Sequence, residues 1–154
     1  MPRHIIELIR HGSTGTPSDD LHVAVDAEHV AVVFGSLQEA DKSVVRMSDG
    51  RGFAVQGAYS SIRAFFPGLV EFIRHDAAEF GEDDNTDAYI AVNPNTVCAV
   101  LQTGELNKSI IRLGDGRGFS LRSPYDVTMR RLGFSSVPLL EGPAATAVGS
   151  DSVN

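Results

Sequence analysis

Two kinds of apolar pattern run through this chain, and each occurs twice. Ile5-Ile6-Glu7-Leu8-Ile9 and Leu69-Val70-Glu71-Phe72-Ile73 are short, mostly apolar runs of strand length, followed by Arg10-His11 and Arg74-His75. After each comes a loop-like insertion: Gly12 to Asp20 by its Gly, Ser, Thr and Pro content, and an acidic loop from Asp76 to Asp87. Next stand His22 to Val33 and Tyr89 to Val100, each a pair of β-rich runs separated by a polar kink, Asp26-Ala27-Glu28 or Asn93-Pro94-Asn95. Proline cannot donate to a strand ladder, so position 94 must be a bend or bulge.

The second pattern alternates. Lys42-Ser43-Val44-Val45-Arg46-Met47 and Lys108-Ser109-Ile110-Ile111-Arg112-Leu113 have the period of a half-buried strand. Both run into Asp-Gly-Arg-Gly-Phe, at 49–53 and, letter for letter, at 115–119. Asp-Gly predicts a hairpin turn, with the second glycine expected to absorb another positive φ. Phe53-Ala54-Val55 and Phe119-Ser120-Leu121 form the return strands. A short helix then closes each copy. The first is expected from about Ala58 to Phe66, stopped by Pro67, with Tyr59, Ile62 and Phe66 on one face. The second has Ser123 as N-cap, Pro124 at the first helical position and Gly133 past the end, with Tyr125, Met129 and Leu132 on one face.

The predicted fold class is therefore α+β: two internal repeats of antiparallel β-meander, each closed by a short helix. The repeats span 1–67 and 68–134, and 135–154 reads as a flexible C-terminal tail. Small open sheets leave edges that must pair between copies or between chains, so a homo-oligomer is expected.

Composition narrows the function more than the fold. With 42% hydrophobic and 21% charged residues the 154-residue chain is an ordinary globular one. No apolar stretch is long enough for a membrane span, and the N-terminal run is too short and charged for a signal peptide. Cys98, alone in the chain, lies in the apolar run Val97-Cys98-Ala99-Val100, which predicts a buried, reduced thiol and a cytoplasmic protein. The formal charge of −7 disfavours a general nucleic-acid binder, but six of the negative charges fall between Asp76 and Asp87, which leaves the remainder near neutral.

Four arginines are the candidate ligand groups of the repeats. Arg51 and Arg117 sit at the hairpin tips between two glycines, where a guanidinium can approach an anion and the turn's amides could add donors. A turn requires Gly but not Arg, so these two are the candidate functional part of the repeated motif, against the plainer reading of a good turn carrying a solvated charge. Arg46 and Arg112, opposite the apolar face of their strands, would otherwise be solvated; beside the tips, or beside Arg10, His11 and Arg74, they would complete a basic pocket. Phe53 and Phe119, next to the turns, are core residues or stacking platforms. No catalytic set, metal constellation or cofactor motif assembles, so a non-enzymatic protein is expected. The main expectation is a binding protein that sequesters a small anionic ligand of the nucleotide or cyclic-oligonucleotide class.

Two resemblances bear on this. The segments Val92-Asn93, Ile110 to Gly116 and Phe119 to Leu132 resemble flagellar FlbD-type proteins and, more loosely, LytTR-type DNA-binding domains, over about 45 residues of each copy. That resemblance implies a regulatory module acting on protein or nucleic acid, the alternative reading, and assigns no residue. Leu8-Ile9-Arg10-His11-Gly12-Ser13-Thr14 resembles the opening of the histidine phosphatases, in which the His accepts the phosphoryl group. That family also needs a late second His, whereas the last His here is His75 and Arg10-His11 is mirrored by Arg74-His75 without the Gly-Ser-Thr. A phosphohydrolase is accordingly the second alternative, and the stretch is read as a decoy.

Overall fold

The computed structural model describes residues 4–11, 21–36, 39–75 and 89–134. The two insertions and the C-terminal tail anticipated from sequence lie outside these residues. The chain runs through β1 (Ile5–Ile9), β2 (His22–Asp26), β3 (Val30–Gly35), β4 (Lys42–Met47), β5 (Gly52–Gln56), α1 (Tyr59–Arg63), β6 (Val70–Ile73), β7 (Tyr89–Val92), β8 (Val97–Gln102), β9 (Ser109–Leu113), β10 (Gly118–Leu121) and α2 (Tyr125–Arg131). The structure is thus largely antiparallel sheet with two short helices, in the order five strands then a helix, twice.

Local chemistry explains the breaks. Asp26 and Asn93 each turn an extended backbone into one turn of 3-10 helix, their side chains accepting from Glu28 N and Asn95 N at 3.1 and 3.0 Å. The polar kinks are these turns, and Pro94 occupies the first helical position of its turn, where no N–H is missed. Gly50 and Gly116 hold φ of 95° and 92° at the hairpin tips. The second glycine of each motif does not hold the expected positive φ. A Cβ at Gly52 would lie 3.5 Å from Arg46 Nη1, and one at Gly118 would lie 3.3 Å from the Ile111 carbonyl and 3.4 Å from Arg112 Cδ. At Gly118 that approach to a backbone carbonyl is tight, whereas at Gly52 it is an ordinary contact with the arginine that crosses the hairpin.

The helices differ in detail from expectation. α1 ends at Arg63 and continues as turns to Phe66, but Tyr59, Ile62 and Phe66 are all buried as the spacing predicted. At α2 the cap position falls on Pro124, and the Ser123 hydroxyl instead accepts from Thr128 Oγ1 at 2.8 Å. Thr128, fully buried, joins Leu132 as the inward face, while Tyr125 and Met129 are only half-buried. A three-hydroxyl network of Ser109, Ser123 and Thr128 holds this helix to β9.

Five strands form the central sheet in the order β5-β4-β3-β7-β6, so β7 of the second half lies on β3 of the first. One face packs against α1 and the β1–β2 hairpin through Leu8, Val25, Val33, Val45, Val55, Tyr59 and Ile62. The other packs against the three-stranded sheet β10-β9-β8 and Leu132 beyond α2 through Val32, Phe72, Ile90, Val92, Ile111 and Leu121. Burying each such side chain contributes about 1.5–3 kcal/mol, and the β3–β7 joint carries such side chains on both faces of the sheet. Cys98 departs from the buried thiol expected of its apolar run. It is exposed on β8, which pairs with β9 alone among the described residues, whereas its counterpart Ala31 in β3 is buried. No helix among the described residues is long and apolar enough to cross a membrane.

Candidate functional site: the two hairpin tips

The tips at 49–51 and 115–117 are built alike. In each, the Asp side chain accepts from the Arg backbone N–H two residues on, at 3.0 Å in the first and 2.9 Å in the second. The glycine N–H bonds back to the strand, Gly50 N to Met47 O and Gly116 N to Leu113 O, both at 2.9 Å. The amides expected to serve as extra anion donors are therefore engaged inside the turns. What remains available is guanidinium.

The folded chain brings the two tips together. Gly50 O accepts from Arg46 Nη1 at 3.4 Å and from Arg117 Nη2 at 3.5 Å, so one carbonyl is shared by an arginine of each half. Arg117 Nε lies 3.6 Å from Asp115 Oδ2, and Arg51 Nε lies 3.6 Å from Asp49 Oδ2. Asp115 is the group sequence reasoning overlooked. Its side chain is only 7% exposed against 61% for Asp49, since the first tip lies over it. A Cβ at Gly50 would stand in ordinary contact with Asp115 Oδ2 at 3.5 Å, which shows how closely the two tips approach. Asp115 Oδ2 and Arg46 Nε are both buried without a hydrogen-bond partner among the described residues. Burial first, and the charge of Arg117 second, hold the Arg46 guanidinium below its ordinary range, with Asp115 partly opposing them.

Phe53 and Phe119 part company. Phe53 lines a cleft of about 300 Å³ with Arg51, Asp49, His29 and Met47. Phe119 faces the opposite side of the central sheet and packs on Phe34, their ring centroids 6.1 Å apart. Arg46, expected on a solvated face, is half-buried, whereas Arg112, its counterpart in β9, is exposed. A second cleft of about 330 Å³ adjoins the first across His29 and Ser48 and reaches Cys98 and Gly114.

The Arg10-His11 end lies elsewhere. Arg10 bridges Val55 and His11 N donates to Ala54 O at 2.8 Å, toward the far end of β5 from its tip. His11 Nε2 faces Glu39 at 3.4 Å, and Glu39 also holds Lys42 at 3.5 Å. His75, Glu105 and Lys108 repeat this trio at 3.7 and 3.6 Å. Arg74 lies 5.1 Å over the Phe34 ring. Arg10, His11 and Arg74 thus belong to strand ends; Arg46, Arg117 and Asp115 meet at Gly50, and Arg51 with Asp49 lines the cleft beside Phe53.

No protein-family model matches the sequence, and no curated protein does. Among solved structures, the chain is similar in fold to one described as the LytTr DNA-binding domain of a putative methyl-accepting/DNA response regulator from Bacillus cereus. The TM-score is 0.53 at 10% identity, covering 85% of this chain and 97% of that one. The LytTR-like resemblance thus holds at the level of fold, and it embraces both halves together where the sequence alone had suggested a likeness within each copy.

Proposed function

We propose that the chain is a regulatory interaction module of two repeats, 1–67 and 68–134, that contacts nucleic-acid phosphates through its paired tips. The observation that carries this reading is the convergence of Arg46 and Arg117 on one carbonyl, in a fold like that of a solved domain described as DNA-binding. Guanidinium forks suit phosphate oxygens, and an anion between Arg46 and Arg117 would relieve their mutual repulsion. The overall acidity opposes this less than it first suggests. The described residues hold twelve Lys and Arg against ten Asp and Glu, and the remaining residues one against ten.

Fluorescence anisotropy with a mixed-sequence duplex tests the reading. Binding should weaken steeply between about 50 and 200 mM salt, and Arg51→Ala with Arg117→Ala should lower the salt slope by about 1 for each phosphate no longer held. No binding at low salt, or binding indifferent to both substitutions, overturns it.

The cleft beside Arg51 and Phe53 favours a second reading, capture of a small anionic ligand of the nucleotide class, because it puts a cation and an aromatic face in one concavity. Native mass spectrometry of protein purified from cells that make nucleotide signals would retain such a ligand, and Arg51→Ala would lose it.

A further inference from the structure

The internal strand pairings repeat with one exception, and that exception points to a second copy of the chain. Ile6↔Val25 in β1–β2 has its image in Val70↔Val92 of β6–β7. Val32↔Arg46 in β3–β4 has its image in Ala99↔Arg112 of β8–β9, bulge included. Lys42↔Gln56 lies in the ladder β4–β5, which β9–β10 reproduces in register, and the bridge Arg10↔Val55 is matched by Arg74↔Leu121. The joint β3–β7, with Val32↔Val92, Val33↔Ala91 and Phe34↔Ile90, has no image. Its image would join β8 to β2. Among the described residues β8 pairs with β9 alone and β2 with β1 alone, so both strands that would make this joint present a free edge.

Among the described residues, neither edge is protected. Edge strands are usually blunted by Lys, Pro or inward charge. β8 reads Val-Cys-Ala-Val-Leu-Gln, an uncharged run suited to an interior strand, yet Cys98 and Leu101 are exposed where β3 is almost wholly buried. β2 reads His-Val-Ala-Val-Asp, polar only at its ends, and the exposed Leu21 precedes it.

We infer that β2 of one chain adds to the free edge of β8 of another, in the register Ala99↔Val25, Val100↔Ala24 and Leu101↔Val23. The product is a second five-stranded sheet, β10-β9-β8 continued by the partner copy's β2 and β1, built like the one inside each chain. The joint is heterologous: each chain offers one β8 edge and one β2 edge, so the assembly is a ring if its rotation closes and a filament if it does not.

One difference sets its strength. Inside the chain Asn93 Nδ2 donates to Val30 O at 2.8 Å and to Glu28 O at 3.4 Å across the β3–β7 joint. Asp26 stands at the equivalent place in β2, and a carboxylate accepts but cannot donate. It therefore brings an acceptor toward the carbonyl of Val97, and the joint between chains is weaker than the one within.

Sedimentation velocity over a hundredfold concentration range should show mass rising with concentration. Asp26→Asn keeps the acceptor of its 3-10 turn and restores the donor, so it should tighten association by roughly three- to tenfold. Leu101→Lys, at an exposed position, should hold the chain monomeric. Polarity is read by cross-linking in a Cys98→Ser background. Ala24→Cys chains mixed with Val100→Cys chains should form intermolecular disulfides, and neither variant should do so alone. A chain that stays monomeric at every concentration overturns the inference, as does cross-linking of either variant to itself.

Discussion

Arg46 and Arg112 are the same residue of the same motif, yet one is half-buried beneath a second tip and the other stands in solvent. The same contrast separates Asp115 from Asp49 and β8 from β3. Everything local is shared by the two halves: the Asx bond at each tip, the 3-10 turns, the serine of β4 or β9 that donates to the chain entering the helix, at 2.7 Å from Ser43 to Gly57 O and 2.9 Å from Ser109 to Ser123 O. Apart from the hydroxyl network at Thr128 and the longer second helix, the differences lie in what covers the surface. The second half lies on one face of the first, and nothing in the described chain plays that part for the second. Sequence sets the hydrogen bonds, and the order of the halves sets burial.

Breaking that comparison should be most costly where the halves meet. Ile90 is fully buried and faces Phe34 across the β3–β7 joint, so Ile90→Ala should lose about 2–5 kcal/mol in urea unfolding. Leu101, at the position in β8 that Phe34 holds in β3, is 40% exposed, and Leu101→Ala should stay within about 0.5 kcal/mol at low protein concentration. Equal losses at the two sites would mean that β8 is covered in solution as β3 is. The kinks sharpen the point at smaller scale. Asn93→Ala removes a buried donor from two carbonyls and should cost about 1–3 kcal/mol, whereas Asp26→Ala removes the turn bond to Glu28 N and the facing of His29 and should cost about 1 kcal/mol. A larger loss at Asn93 would mark the two carbonyl bonds that cross the joint.

Much of this was legible in the sequence because it is local. Strand runs, kinks, hairpins and the positions of both helices follow from alternation, Asp-Gly turns and Pro67 or Gly133. The candidate arginines divided along the same line. Arg51 and Arg117 stand at tips as their motif required, but whether the tips meet depends on β7 pairing with β3, a contact between halves that no run of residues announces. For the same reason Asp115 went unrecognised as a site residue, and Phe119 belongs to the core while Phe53 lines a cleft. Cys98 misled because an apolar run at a free edge looks like one at the centre of a sheet.

The first half also carries a polar contact through which its helix meets the second. Tyr59, at the start of α1, donates to Glu71 Oε2 at 2.9 Å, and Arg63 Nε lies 3.5 Å from the same oxygen. Burial, then the hydrogen bond to Glu71, raise the Tyr59 phenol above its ordinary range. A pKa higher in the folded state than in the unfolded one contributes stability that is complete below the unfolded value, about 10, and is lost as pH rises beyond it. Denaturant midpoints should therefore fall between about pH 9.5 and 11, and Tyr59→Phe should flatten that decline while costing about 0.5–1.5 kcal/mol at neutral pH. An alkaline slope unchanged by the substitution would place the titrating group elsewhere.

The smallest effect on stability should come at the arginines themselves, and it carries the sharpest functional contrast. Arg46 has a buried Nε without a described partner and feels the charge of Arg117, so its removal relieves a repulsion that offsets the lost bond to Gly50 O and the lost attraction to Asp115. Arg46→Met should leave the denaturant midpoint almost unmoved, within about 0.5 kcal/mol, yet weaken duplex binding by removing one side of the shared carbonyl contact. Arg112→Met, at the matching but uncovered position, should leave both stability and binding unchanged. Identical losses of binding from the two variants would shift the phosphate contact from the paired tips to general surface charge.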